Sequence, residues 1–417
     1  MFMRTKKLFT SVLIAVTALF FAVPTTQAQE DEDEGFTIGG AVRYNFISTS
    51  YNNTKSNPAL TWDTWRLNVD GSMGGIDMSF EYRFYPTFGS HFIHHGFLGY
   101  EFSDDLYMEL GVTQVPFGIT TWASHSWWFQ GAYYVGLEDD YDIGVNFDYT
   151  PSDKLKLSLS YFRQQEPEGP QFGGEVTFGG SGSGRYSYDI VPGQGGYWEG
   201  GQFVEEQATL SELNQFNARL AYDIADGWEI GASAQIGGIY NQVRDEIETS
   251  TAFAGHVVGN FGNFNLKAEY INYDYNAKGD NGNDLDVVQM GAYGYEYWGA
   301  SDAAPGEAGY YSGGVAAEAS LYVVGLAYTI PVDWGPISSI QPYIDYTMID
   351  KANENFYDTQ HLIPGMLISA GPVYTYVDYA MGKNQPWLTG SFGKGLGTGV
   401  EDPDWNKRFN INIGYYF

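Results

Sequence analysis

Residues 405–417 (WNKRFNINIGYYF) alternate with a period of two to the end of the sequence. Trp405, Lys407, Phe409, Ile411, Ile413, Tyr415 and Phe417 fall on one face of an extended strand. Asn406, Arg408, Asn410, Asn412, Gly414 and Tyr416 fall on the other. A strand this long, oily on one side and polar on the other, fits a membrane-spanning strand better than a soluble edge strand. The pattern recurs. Ile76, Met78, Phe80, Tyr82 and Phe84 alternate with Asp77, Ser79, Glu81, Arg83 and Tyr85, and Leu155, Leu157, Leu159 and Tyr161 with Lys154, Lys156, Ser158 and Ser160. A slip of one residue would put Arg83 or Lys156 into lipid, so the register of these strands is strongly set.

The N-terminus is a processing signal rather than part of this pattern. Arg4, Lys6 and Lys7 precede an apolar run to Val23, and Thr26-Gln27-Ala28 offers a small-residue cleavage site. Residues 1–28 are therefore expected to be a signal peptide and 29–417 the mature outer-membrane domain. An exported chain with no Cys has no disulfide framework, so strand pairing must hold it. The signal peptide takes three of the 20 Lys+Arg, which leaves 17 basic against 51 acidic residues. Such a balance excludes nucleic acid as a partner bound through a broad basic face.

Connections separate into two kinds. Seven are short turns, near 73–75, 103–105, 151–153, 225–227, 262–263, 331–336 and 370–372. Eight longer or more polar ones lie between them, and the largest cover 116–140, 164–212, 276–314 and 382–404. Strict alternation of the two implies sixteen strands with both termini on the short-turn side. The strands are placed at about 36–47, 60–72, 76–85, 91–102, 106–115, 141–150, 154–163, 213–224, 228–239, 249–261, 264–275, 315–330, 337–349, 361–369, 373–381 and 405–417. Residues 286–298 could form a further strand, but an even count favours a hairpin inside a long loop. The expected fold is thus all-β: a transmembrane, antiparallel, up-and-down β-barrel with short periplasmic turns and long external loops. A secreted sandwich or propeller would need a second sheet over every apolar face.

The stretch 96–118 (GFLGYEFSDDLYMELGVTQVPFG) resembles the phosphate-selective porin O and P family, in which a strand ending in Gly-Tyr is followed by a short turn and a second strand running into Pro-Phe-Gly, here Pro116, Phe117 and Gly118. The ending 408–417 (RFNINIGYYF) is similar to that family's closing strand. These motifs cover about a tenth of the chain. The resemblance implies a sixteen-stranded, usually homotrimeric porin in a Gram-negative outer membrane. Its third external loop, here 116–140, would fold inward to narrow the pore.

The polar faces supply candidate pore-lining residues: Arg43, Arg66, Arg83, Lys154, Lys156, Arg219, Lys267 and Arg408 among the bases, and Glu81, Glu109 and Glu269 among the acids. Acids outnumber bases on these faces, and loops such as 138–140 and 401–404 add more. Rings of acid favour cations at a pore mouth. Total charge therefore predicts a general or weakly cation-favouring porin passing small hydrophilic solutes and ions. An anion-selective, phosphate-type pore is the alternative if the bases cluster at one constriction.

In the candidate constriction loop, Trp122, His125, Trp127 and Trp128 could form an aromatic track for sugars or the loop's apolar underside. His91 and His95 would stand about 13 Å apart on a strand with His94 on the other face, so no metal site is expected. No nucleophile-elbow pattern occurs, and neither a catalytic residue nor a cofactor is assigned. A non-conducting structural or adhesive barrel and an outer-membrane hydrolase are the readings from other classes. Further expected partners are lipopolysaccharide at the rim, near Lys407, and the barrel-assembly machinery, which would read the terminal Phe417.

Overall fold

A computed structural model describes residues 35–51, 57–87, 90–120, 122–167, 184–292, 295–296, 314–389 and 394–417. The expected signal peptide lies outside the described residues. Sixteen strands, each hydrogen-bonded antiparallel to its neighbours in sequence, form the wall. They are β1 (Gly35–Thr49), β2 (Ala59–Met73), β3 (Ile76–Tyr85), β4 (Ser90–Ser103), β5 (Leu106–Gln114), β6 (Tyr141–Ser152), β7 (Leu155–Gln165) and β8 (Leu210–Ala225) in the first half. The second half holds β9 (Trp228–Asn241), β10 (Glu246–Phe261), β11 (Phe264–Asp274), β12 (Glu318–Tyr328), β13 (Ile337–Lys351), β14 (Thr359–Ala370), β15 (Val373–Lys383) and β16 (Asn406–Tyr416). A short extension, Ile330–Trp334, carries β12 into its turn.

Pairing of β1 with β16, from Ala41 opposite Tyr416 to Thr49 opposite Arg408, closes the sheet. Reciprocal backbone bonds between Gly40 and Phe417 complete the seam, at 2.8 and 3.0 Å. A closed barrel leaves no unpaired edge, which is what a hydrocarbon environment requires. Short strands at Val287–Val288, Met290–Ala292 and Tyr295–Glu296 join two small sheets separate from the barrel sheet, so the described residues of 286–298 belong to a loop.

The alternation dictates the two surfaces. Phe36, Ile38, Tyr44, Phe46, Phe253, Ile344, Phe409, Ile413 and Tyr415 are exposed on the outside, whereas Asn45, Asn217, Asn410 and Asn412 are buried within. Stacked rings of Trp228, Phe261 and Phe264 lie near the short turns, with centroids 5.6 and 5.3 Å apart, as in the aromatic girdle of a membrane barrel. The tight turns have the chemistry they need: Gly74 and Gly75 both take positive φ, 62° and 76°, between β2 and β3.

Two bulges change what faces inward. The β1–β2 register shifts after Arg43, so that Thr64 and then Trp62 are the partners on β2 and Asp63 is the extra residue. A second shift between Glu81 and Tyr82 leaves His94 unpaired on β4. It corrects the expected histidine geometry, because the ring nitrogens of His94 and His95 come within 2.9 Å of each other rather than on opposite faces.

Candidate permeation pathway

The connection from β5 to β6 starts on one wall and is tied to the other side of the barrel. The Asp345 carboxylate on β13 accepts from the backbone N–H of His125 and of Ser126, both at 2.7 Å, and from the His125 ring at 2.8 Å. His125 Nε2 lies 2.6 Å from Asn265 Oδ1 on β11. Glu269 accepts from Ile119 N–H at 3.1 Å, Ser233 Oγ from Gly118 N–H at 3.0 Å, and Lys267 donates to the carbonyls of Trp122 and Ser124. Further along, Thr347 takes the Gly131 N–H at 3.1 Å and bonds Gln130, which also faces His361. Gly325 on β12 makes room for the Asp345 clasp: a Cβ there would sit 2.5 Å from Asp345 Oδ1 and 2.8 Å from His125 Nδ1.

Beside this inward loop is a cavity of about 1100 Å³. Its wall carries Arg43, Arg66, Arg83, Lys267 and Arg408, and Trp122, His125, Trp127 and Trp128 line it from the loop side. It extends from Trp387 among the outer connections to Gly262 and Asn263 in a short turn. The guanidinium of Arg43 lies 4.3 Å from the Trp127 ring centre and that of Arg408 4.2 Å from Trp128. Cation–π contacts of this kind fix guanidinium planes at little cost in solvation. They also occupy one face of each indole, which removes that face from any sugar. Arg83 stacks on Tyr186 at 4.4 Å.

Two carboxylates answer these cations. Asp63, placed by the β2 bulge, pairs with Arg43 at 3.0 Å, and Glu81 pairs with both Arg83 and Arg66. The remaining predicted residues lie elsewhere. Lys154, Lys156 and Arg219 line a second cavity, of about 670 Å³, near the short turns together with Asp153, Asp223, Asp226 and Glu229. Glu109 lines a third, of about 270 Å³, with Asp148, His95 and Arg219. Glu269 is spent on holding the loop.

Sequence reasoning missed Asp63 and Tyr186 as members of this group. The first had a signal, because the apolar phase breaks between Trp62 and Trp65. The second had none, since it arrives from a long external connection.

The loop also buries charge. Glu138 accepts from Ala123 N–H at 2.8 Å, and burial followed by the nearby Glu269 carboxylate pushes its carboxyl up to about 8. Burial raises Asp139 to about 7, opposed by the hydroxyl of Tyr186 at 2.5 Å. Both groups hold protons in the folded state that the unfolded chain has released. Their destabilising effect is absent below about pH 4, the ordinary carboxyl range, and complete above about pH 8. Melting temperature should therefore fall as pH rises through this window. Glu138→Gln keeps the acceptor and should flatten the profile by the equivalent of a few kcal/mol; an unchanged slope would count against the assignment.

No protein-family model and no curated protein sequence matches the chain. Solved structures do match. The trimer form of the outer-membrane protein OmpT of Vibrio cholerae superposes with TM-score 0.55 at 13% identity, over 92% of this chain and 100% of that one. An anion-selective porin from Comamonas acidovorans gives 0.54 at 12%, over 92% and 100%. The outer-membrane channel DcaP of Acinetobacter baumannii gives 0.51 at 12%, over 94% and 99%. The fold is that of the outer-membrane porins. Closure, an apolar belt and sixteen strands place this barrel in the outer membrane of a Gram-negative cell.

Proposed function

We propose that the barrel is a porin for passive diffusion of small hydrophilic solutes and ions, and that it favours anions where the third loop narrows it. The observation that carries this reading is the company around Arg43, Arg66, Arg83 and Arg408: four guanidiniums on the adjacent strands β16, β1, β2 and β3 against Asp63 and Glu81, with Lys267 lining the same cavity from β11. Local charge decides permeation. Exposed acids on the external loops are screened beyond about 8 Å at physiological salt, whereas cations lining the passage meet every ion at close range. This reverses the weak cation preference expected from total charge. Guanidinium groups suit oxyanions such as phosphate or carboxylates, which they hold bidentately.

A homotrimer is the proposed assembly, supported by the trimeric form of the V. cholerae neighbour. Reconstitution into a planar bilayer under a KCl gradient tests the reading. The reversal potential should be displaced toward the chloride equilibrium potential; displacement toward that of potassium would overturn the anion assignment, and absence of any conductance would overturn the porin.

A further inference from the structure

A second group of charges lies away from the arginine wall, where the third loop meets the long connection between β7 and β8. Asp140 ends the loop, Asp142 opens β6, and Asp189 belongs to the long connection. One carboxylate oxygen from each comes within 4.8 Å of the other two, and all three side chains are buried, 7%, 2% and 1% exposed. Glu166, just after β7 and 1% exposed, adds a fourth carboxylate. Its Oε1 accepts from Ser187 N–H at 2.9 Å, while its Oε2 is fully buried with no hydrogen-bond partner. The Oδ1 atoms of Asp140 and Asp142 are buried without partners as well. Glu166 is the strongest charged neighbour of both Asp140 and Asp189, so the orphan group belongs to the same cluster. Glu212, on β8, acts on it too, though its Oε1 is taken by Ile190 N–H at 2.7 Å. Against these five acids stands Arg185, whose Nε is 3.3 Å from Asp189 Oδ2.

Buried carboxylates are tolerated only when paired, protonated or bound to a metal. One guanidinium cannot balance five of them. Carboxylate oxygens alone, with neither thiolate nor imidazole among them, suit a hard cation with a large, flexible coordination sphere rather than zinc.

We propose that Asp140, Asp142, Glu166 and Asp189 bind a calcium-class divalent cation that staples the exit of the third loop to the long external connection. The ion joins three separate chain segments, 140–142, 166 and 189, so it stabilises the folded barrel and not the unfolded chain. Ligands this far apart in sequence give no spacing motif, which is why the sequence alone showed nothing.

The test uses the full-length folded barrel in detergent, stripped with chelator and then titrated with CaCl2. Wild-type protein should gain several degrees in melting temperature at calcium about a hundredfold above half-saturation. Terbium should bind in competition with calcium and show luminescence sensitised by tyrosine, Tyr141 being between two of the ligands in sequence. Asp142→Asn and Glu166→Gln should abolish both responses. Because each removes a repelling charge, the chelator-treated variants should melt at or above chelator-treated wild type, which separates loss of the site from loss of the fold. Acids elsewhere on this very acidic surface remain in the variants and cancel in the comparison. A calcium response unchanged in both variants would overturn the proposal. So would a wild-type barrel indifferent to calcium after chelation, which would leave shared protons as what keeps the cluster folded.

Discussion

Replacing Asp345 with alanine should release the third loop without unfolding the barrel. One carboxylate collects three short hydrogen bonds from His125 and Ser126, and its side chain is almost fully buried. Hydrogen bonds to a charged group contribute about 1.5–3 kcal/mol each, and they are not additive where they share an acceptor. A loss of roughly 3–5 kcal/mol is expected, most of it local to the loop. The wall itself is held by sixteen backbone ladders that Asp345 does not join through its side chain, so heat-resistant β-structure should survive. The loop would still be tethered through Glu269 and Thr347. Its middle, near His125, would keep only the Lys267 and Asn265 contacts and should loosen. Single-channel recordings should therefore show noisier current with brief partial closures. Chymotrypsin should nick the barrel within 116–140, where Trp, Tyr and Phe abound and wild type resists. Asp345→Asn keeps one good acceptor and should fall between the two. Quiet current and full protease resistance in the alanine variant would mean that the clasp is redundant.

The clasp shows which parts of the molecule could be read from sequence. Strand existence and pairing were legible because lipid on one side and water on the other leave each strand a single acceptable phase. The sixteen predicted strands accordingly sit where the pairing puts them, with ends shifted by a few residues. What failed was local. The strand predicted for 315–330 splits, since Val315–Ala316 pairs with Val287–Val288 in a separate small sheet while β12 begins at Glu318. The expected placement of His94 and His95 on opposite faces assumed an unbroken pleat, and the extra residue at the β3–β4 bulge removed it. Lumen bases could be enumerated but not grouped, because a barrel has many polar faces and periodicity does not say which of them meet. Distances between Arg43, Arg83 and Arg408 depend on shear, bulges and the path of the loop, and none of these is written in hydrophobic alternation. Asp140 and Asp189 met for the same reason, through loops whose sequence has no period at all.

Neutralising Arg408 should shift ion selectivity away from anions. Arg43 answers Asp63, and Arg66 and Arg83 share the single carboxylate of Glu81, which leaves one net positive charge among the paired groups. Arg408 has no ion-pair partner among the described residues; it stacks on Trp128 and donates to Asn410 at 3.2 Å. At about 8 Å in water, a unit charge shifts the energy of a passing ion by about 0.5 kcal/mol. The shift helps an anion as much as it hinders a cation. Removing the charge should therefore lower the anion-over-cation permeability ratio roughly five-fold. Arg408→Gln keeps polarity and much of the volume, and its reversal potential in a KCl gradient gives the readout. The control is the double variant Arg43→Gln, Asp63→Asn, which deletes a whole ion pair and leaves net charge unchanged. Its reversal potential should stay close to wild type even though it alters the same wall. If the paired deletion moved selectivity as far as Arg408→Gln, steric or packing effects would be in control rather than charge. Raising salt from 0.1 M to 1 M shortens the Debye length from about 10 Å to about 3 Å. The Arg408 effect should shrink accordingly, and a persistent shift at high salt would require the guanidinium to act by direct contact with the ion.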